Sequence, residues 1–319
     1  MIDRRRLLAA ASLYFGGAPA VAARPAVDPG PGRPGPGSAP GRSLEGVWTL
    51  ESYTNLERPK ELRALVLTAA EAEAYEAPRR ALHGMPASKP GEPGQQESEF
   101  NERGEGLARV GGEIRSSWIV DPPDGLIPYT AAAKARLGVG KPPTEARMDN
   151  PEDLSGATRC MGNFAAGAPM IGAPDTNLFQ IVQTPAAIAI LTEKYHDVRI
   201  VRLGGTAAAV RSWLGESIGR WDGDTLVIDT TGLRPGFTSR GFWVSGDTRV
   251  VERLRRIGAA ELLYEFTVED PSLFSRPWRG EMSLHPAKGA IYEYACHEGN
   301  YSLPSILRAA RMADKPARP

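Results

Sequence analysis

The 319-residue chain has four histidines, and two of them stand in runs dense with carboxylates, hydroxyls and aromatic rings. The first run is Glu193-Lys194-Tyr195-His196-Asp197-Val198-Arg199, and the second is Tyr292-Glu293-Tyr294-Ala295-Cys296-His297-Glu298-Gly299-Asn300-Tyr301. An imidazole beside a carboxylate can move a proton at neutral pH, and aromatic walls suit an apolar or cyclic ligand. His196 and His297 are therefore acid/base candidates, with Glu298 and Glu265 as carboxylate partners. Glu265 lies in Tyr264-Glu265-Phe266-Thr267-Val268; an inward face would raise its pKa by desolvation, and the structural alternative is an outward face or an arginine partner. Tyr292, Tyr294, Asn300, Arg199, Asp229 and Trp221 are the ligand-contact candidates.

Each has a structural alternative. On a strand, Asp197 and Arg199 share a face and can simply pair, while His196 falls opposite with Lys194 and Val198. Asp222-Gly223-Asp224 has the composition of a hairpin turn. Tyr292, Tyr294, Cys296 and Glu298 share one strand face, with Glu293, Ala295 and His297 on the other. Cys160 and Cys296, the only cysteines, suit a disulfide worth up to roughly 4–5 kcal/mol in the chain-entropy picture. Two free thiols are the alternative; a metal site lacks further ligands at short spacing, so no metal is expected.

Motifs for bound cofactors are missing: there is no phosphate-binding loop, no G-x-G-x-x-G after a strand and no H-E-x-x-H helix. Gly215-Glu216-Ser217-Ile218-Gly219 spells a nucleophile elbow, but a hairpin follows where a helix is required. No cofactor is expected. Lys plus Arg equal Asp plus Glu at 38 each and are dispersed, which excludes a nucleic-acid footprint.

The elements that would carry these residues are mostly short strands. Leu44–Tyr53 alternates apolar and polar residues. Further strands are expected at 116–120, 178–184, 187–191, 196–202, 218–221, 225–231, 248–256, 261–268 and 289–295. Val250, Leu254, Leu226 and Ile228 are expected on one face, and Glu252, Arg253 and Asp229 on the other or at the rims. Thr68-Ala69-Ala70-Glu71 is a capping box opening a helix to about Leu82. Tyr129-Thr130 caps a second helix to Leu137, and Ser302 to Met312 forms a third. The pattern predicts a mainly β fold, an antiparallel lipocalin-like barrel or sandwich with a few peripheral helices.

At the N-terminus, Arg4-Arg5-Arg6 precede an apolar stretch from Leu7 to Ala20, and Ala20-Val21-Ala22 offers a cleavage site. Residues 1–22 read as a signal peptide, and the paired arginines before Leu7-Leu8 resemble a twin-arginine export signal. Gly16, Gly17 and Pro19 interrupt the stretch too early for a membrane span, and no later apolar run is long enough for one. Residues 23–42 are a Pro/Gly linker, 43–313 a single β-rich domain, and 314–319 a tail.

The strings QIVQTP (180–185), YHDVRIV (195–201), GESIGRWDGDTLVIDTTG (215–232), VVERLRRI (250–257), YEFTVEDP (264–271), RPW (276–278) and YEYACHEGNY (292–301) resemble a family of exported Gram-negative bacterial proteins without an assigned activity. The resemblance covers 177–313, extends more loosely to 116–125 and 150–160, and implies no catalytic residue. Gly46-Val47-Trp48 is also similar to the G-x-W opening of lipocalin-like barrels. Together these readings lead to a periplasmic or secreted barrel that holds a small apolar or cyclic molecule in its interior. The alternative is a lyase, isomerase or hydrolase acting on such a molecule in the same cavity.

Overall fold

A computed structural model of the chain describes residues 42–83, 104–137, 148, 150–154, 158–160, 167–172, 177–207, 210–237 and 241–313. The expected signal peptide, nearly all of the expected linker and the expected tail lie outside the described residues. In chain order the elements are β1 (Gly46–Thr49), β2 (Val66–Leu67), α1 (Ala69–His83), β3 (Arg109–Val110), β4 (Glu113–Arg115), β5 (Ile119–Asp121) and α2 (Ala131–Leu137). There follow β6 (Leu178–Gln183), β7 (Ala187–Thr192), β8 (Val198–Leu203), β9 (Glu216–Asp222) and β10 (Thr225–Thr231). Then come β11 (Gly236–Phe237), β12 (Trp243–Val244), β13 (Arg249–Gly258), β14 (Glu261–Glu269), β15 (Trp278–Pro286) and α3 (Ser302–Ala313).

Nine strands close a barrel in the order β1-β6-β7-β8-β9-β10-β13-β14-β15, and β15 pairs back onto β1 through Trp48↔Pro286 and Thr49↔His285. β5 pairs with Arg279 and Gly280 of β15, along the edge that β1 occupies further on at His285 and Pro286. Eight of the nine junctions are antiparallel; β8 and β9 run parallel, with Val201 opposite Ser217. The mainly β barrel with few helices agrees with the sequence reading, and the parallel seam corrects the all-antiparallel expectation. β8 ends at Leu203 opposite Gly219, and β9 starts at Glu216, a parallel junction that a two-residue hairpin cannot make.

Alternation decides what fills the interior. Ile188, Ile190, Leu226, Ile228, Val250, Leu254, Leu262, Tyr264, Phe266, Val268, Trp278, Met282 and Leu284 are buried from their successive strands. Gly280 is the inward residue where the Phe266 ring crosses β15, and a methyl group there would run into that ring. At one barrel end Trp48 is buried, its indole N–H donates to Leu44 O at 2.9 Å, and the Arg256 guanidinium lies 5.1 Å from the ring. Arg256 also donates to Ser43 O, so the G-x-W segment closes this end. Gly46 has φ +139°, and a Cβ on it would sit 3.3 Å from Trp48 Nε1, which explains the glycine. At the other end residues 168–171 are buried, with Met170 N–H donating to the Tyr264 hydroxyl at 2.8 Å.

Three expectations change. Glu252 has the parity of Val250 and Leu254, so it points into the barrel and not to the rim. Residues 290–295 form no strand, and turns run from Cys296 to Gly299; the shared-face argument for Tyr292, Tyr294, Cys296 and Glu298 therefore fails. His196 precedes its strand, on a 3-10 turn over Lys194–His196. The capping box holds: Glu71 N–H donates to Thr68 Oγ1 and Thr68 N–H to Glu71 Oε2. Cys160 and Cys296 form a disulfide across 136 residues of sequence.

Candidate functional site

The barrel interior holds a polar network with one residue from each of five consecutive strands. Arg199 on β8 forks onto Glu252 on β13, Nη1 to Oε2 at 2.5 Å and Nη2 to Oε1 at 2.8 Å. Tyr264 on β14 donates its hydroxyl to Glu252 Oε1 at 2.7 Å. Thr230 on β10 donates to Glu252 Oε2 at 3.5 Å and bonds Ser217 on β9 at 2.8 Å. Burial works against the Arg199 charge, yet the Glu252 carboxylate outweighs it by attraction and hydrogen bonding, so its pKa stands above the ordinary arginine value. Burial, then the same carboxylate, pushes the Tyr264 phenol well above the usual tyrosine range. Ser217 is the most exposed of the five, at 4 %. The network is sealed from solvent and joins strands; it has no surface to offer a solute.

Arg199 is thus the one predicted ligand contact that enters the barrel, and its partner is Glu252 instead of Asp197. Asp229 faces outward and takes a double contact from Arg249, Nε to Oδ1 at 2.9 Å and Nη2 to Oδ2 at 2.5 Å. Glu265 also faces outward, 4.0 Å from Arg279. Trp221 is half-buried beneath the Arg42 guanidinium at 5.5 Å.

The two histidine-bearing runs do meet, at the turn between β7 and β8. His196 is exposed, and its Nε2 accepts the Tyr294 backbone N–H at 3.1 Å. Glu193 Oε2 accepts Tyr292 N–H at 3.3 Å, and the Tyr195 and Tyr294 rings meet edge to face at 5.3 Å. Tyr195 and His196 adopt φ of 62° and 53°, a left-handed pair costing about 1–2 kcal/mol per residue. The Tyr292 side chain is 67 % exposed, and His297 and Glu298 are exposed in the turn beyond it. Asn300 donates to Thr158 O and to Cys160 Sγ, and its Oδ1 accepts Leu303 N–H, capping α3. These contacts tie the chain segment from Tyr292 to Asn300 to the β7–β8 turn and to Cys160.

An open recess lies elsewhere, beside α1. It measures about 390 Å³ and is lined by Asn55, Leu56, Glu57, Pro59, Tyr75, Arg79 and Gly241. Tyr75 and Arg79 stand one helical turn apart on α1, so they share a face. The Arg79 guanidinium covers the Tyr75 ring at 3.4 Å and donates to Tyr75 O at 2.9 Å. Burial raises the Tyr75 phenol pKa, partly offset by the Arg79 charge and an Asn55 hydrogen bond. Across from the helix, Asn55 bridges to Ser117, and Trp118 and Ile119 donate their N–H groups to Asn55 O and Leu56 O, which anchors that wall to the β5 region. Glu57 Oε1 accepts Ile127 N–H at 2.7 Å. None of the seven lining residues is among the sequence-predicted site residues. The Tyr75/Arg79 spacing was visible, but the facing segment has neither helical nor strand period.

Amide, carboxylate and guanidinium groups around Leu56, Pro59 and Tyr75 can both donate and accept hydrogen bonds beside apolar surface. Among the described residues no three His, Cys, Asp or Glu side chains could hold a metal ion, and no helix is long and apolar enough to cross a membrane. Compared with protein-family models, curated proteins and solved structures, the chain finds no match in any of the three. Residue roles rest on the geometry of this chain.

Proposed function

We propose that the chain is an exported β-barrel protein that binds a small cyclic molecule bearing hydroxyl groups in the recess beside α1. The observation that carries this is the recess itself. Its volume falls within the range of small-molecule sites, and its lining mixes apolar surface with a few polar groups of both kinds. A hydroxylated ring matches it, because each hydroxyl both donates and accepts while the ring C–H faces meet Leu56, Pro59 and Tyr75. A pure hydrocarbon leaves Glu57, Asn55 and Arg79 without compensation for their lost water. Binding inside the barrel, which the sequence suggests, is opposed by the side chains that fill the interior. Export is supported by the N-terminal signal-like sequence and by the disulfide, since such bonds persist in oxidising compartments.

The test is thermal shift followed by calorimetry against glucose, maltose, cellobiose, inositol, cyclohexanol and methylcyclohexane. A ligand at 100 times its Kd adds about 2.7 kcal/mol of stability. Glu57→Gln and Arg79→Ala are expected to weaken the polyols roughly tenfold each, with cyclohexanol less affected and methylcyclohexane inert. No stabilisation by any polyol at millimolar concentration, or binding that ignores both substitutions, overturns the proposal.

A further inference from the structure

We infer that the chain associates with a second copy of itself, as a reversible two-fold dimer, through the outer face of β6, β7 and β8. This surface is separate from the recess and does not depend on any ligand there. The register sets Val182, Ala189 and Ile200 in one row across the three strands, and Gln180, Leu191 and Val198 in the next. Alternation turns all of them away from the core, and Val182, Val198 and Ile200 are 43, 44 and 51 % exposed. The other wall of the same barrel is built differently. There Asp229, Arg249, Arg253, Glu265, Glu269 and Arg279 face out, each held in an ion pair. A sheet face turned to water is normally polar, and a contiguous aliphatic face marks an association surface.

Shape, charge and area select a second copy as the occupant. On β7 the outward side chains of Ala187 and Ala189 stop at Cβ, which leaves a trough beside the Ile200 ridge of β8. A two-fold axis in the plane of contact, running along the strands between β7 and β8, exchanges trough and ridge between the copies. Ile200 then fills the space over Ala189 of the other copy, Val198 meets Leu191, and the Arg202 stem covers Ala187. Arg202 is the one charge among the outward residues of the three strands, and it is paired with Glu216 on β9 at 3.2 Å. Two copies can therefore meet without setting unpaired like charges together. Val47 on β1 and Ile218 on β9, both half-buried, extend the apolar face to five strands. At about 4.8 Å per strand and 3.3 Å per residue the face measures about 24 by 20 Å. That stands at the low end of specific interfaces, roughly 600 Å² per partner, which sets a Kd of roughly 10–100 µM and not an obligate dimer.

The experiment is sedimentation velocity on the full, disulfide-intact chain across a range from well below to about tenfold above that Kd. The wild type is expected to pass from monomer to dimer. Ile200→Lys and Ala189→Glu each place a charge in the contact, and each is expected to weaken self-association at least about tenfold. Both side chains point away from the core, so the circular dichroism spectrum should stay that of the wild type. Mixed one to one, the two variants are expected to associate again, because the two-fold sets the new ammonium against the new carboxylate. A wild type that stays monomeric throughout overturns the dimer. So does self-association that ignores both substitutions, or a mixture that associates no better than its components. Wild-type monomers that instead sediment with phosphatidylcholine vesicles also overturn it, and assign the face to a lipid surface.

Discussion

Arg199→Met is the most informative single change, because it deserts a carboxylate that is wholly buried. Glu252 has no exposure, and Arg199 supplies its bidentate partner at 2.5 and 2.8 Å. Breaking a buried pair from one side costs about 3–5 kcal/mol, because the remaining charge loses its compensation. At roughly 2–3 °C per kcal/mol for a chain of this size, Tm should fall by roughly 6–15 °C. Arg199→Met/Glu252→Met removes both charges and fills the space with flexible apolar chains, so it should recover all but about 1–2 kcal/mol. The two single changes are then strongly non-additive, with a coupling above about 2 kcal/mol. Urea unfolding followed by circular dichroism measures all three. Single-mutant losses below 1 kcal/mol, or losses that simply add, would show that the pair is not a dry cross-strand link.

Two further outcomes follow from local geometry. Burial opposes ionisation of Asp270, but hydroxyl donors from Ser245, Thr248 and Ser272 and the Ser272 N–H outweigh it and hold the pKa below the usual aspartate value. Its stabilising contribution is therefore complete above about pH 4 and lost as pH falls through the lower folded value, a window that Asp270→Asn should erase from stability curves measured between pH 5 and 2.5. Gly280→Ala should destabilise by about 1–3 kcal/mol through collision with Phe266, and Phe266→Leu in the same chain should return part of that loss in urea titrations.

Much of the barrel was legible from alternation. The expected strands at 225–231 and 261–268 match β10 and β14 to within a residue, because Leu226, Ile228, Tyr264 and Phe266 mark their inward faces plainly. β15 was not legible. Its inward positions are Trp278, Gly280, Met282 and Leu284, with a glycine and no β-branched residue, so neither propensity nor pattern marks it. The opposite error occurred at 289–295, where Tyr292 and Tyr294 have strand spacing. The sheet is already closed by β15 on β1 and offers no edge for them, and they meet the β7–β8 turn instead. Glu252 was misplaced although its parity with Val250 and Leu254 was in plain view; a carboxylate resists assignment to a core without a known partner, and Arg199 lies 53 residues upstream. The recess was beyond reach for a different reason. Its walls come from α1 and from a segment with no period, and only tertiary packing brings them together.

Barrel closure also dictates an order of events during synthesis. Thr49 pairs with Leu178 on one side and with His285 on the other, so the first strand to leave the ribosome has neither neighbour until most of the chain exists. Long-range pairing of this kind folds slowly, and until it is complete β1 and β14 present bare strand edges that invite association. A truncation before residue 278 removes β15 and leaves the barrel as an open, aggregation-prone sheet, however sound the upstream hairpins are. If the chain crosses a membrane as an unfolded thread, closure waits until the C-terminal strand has emerged on the far side. If it crosses folded, the whole polypeptide must be finished first.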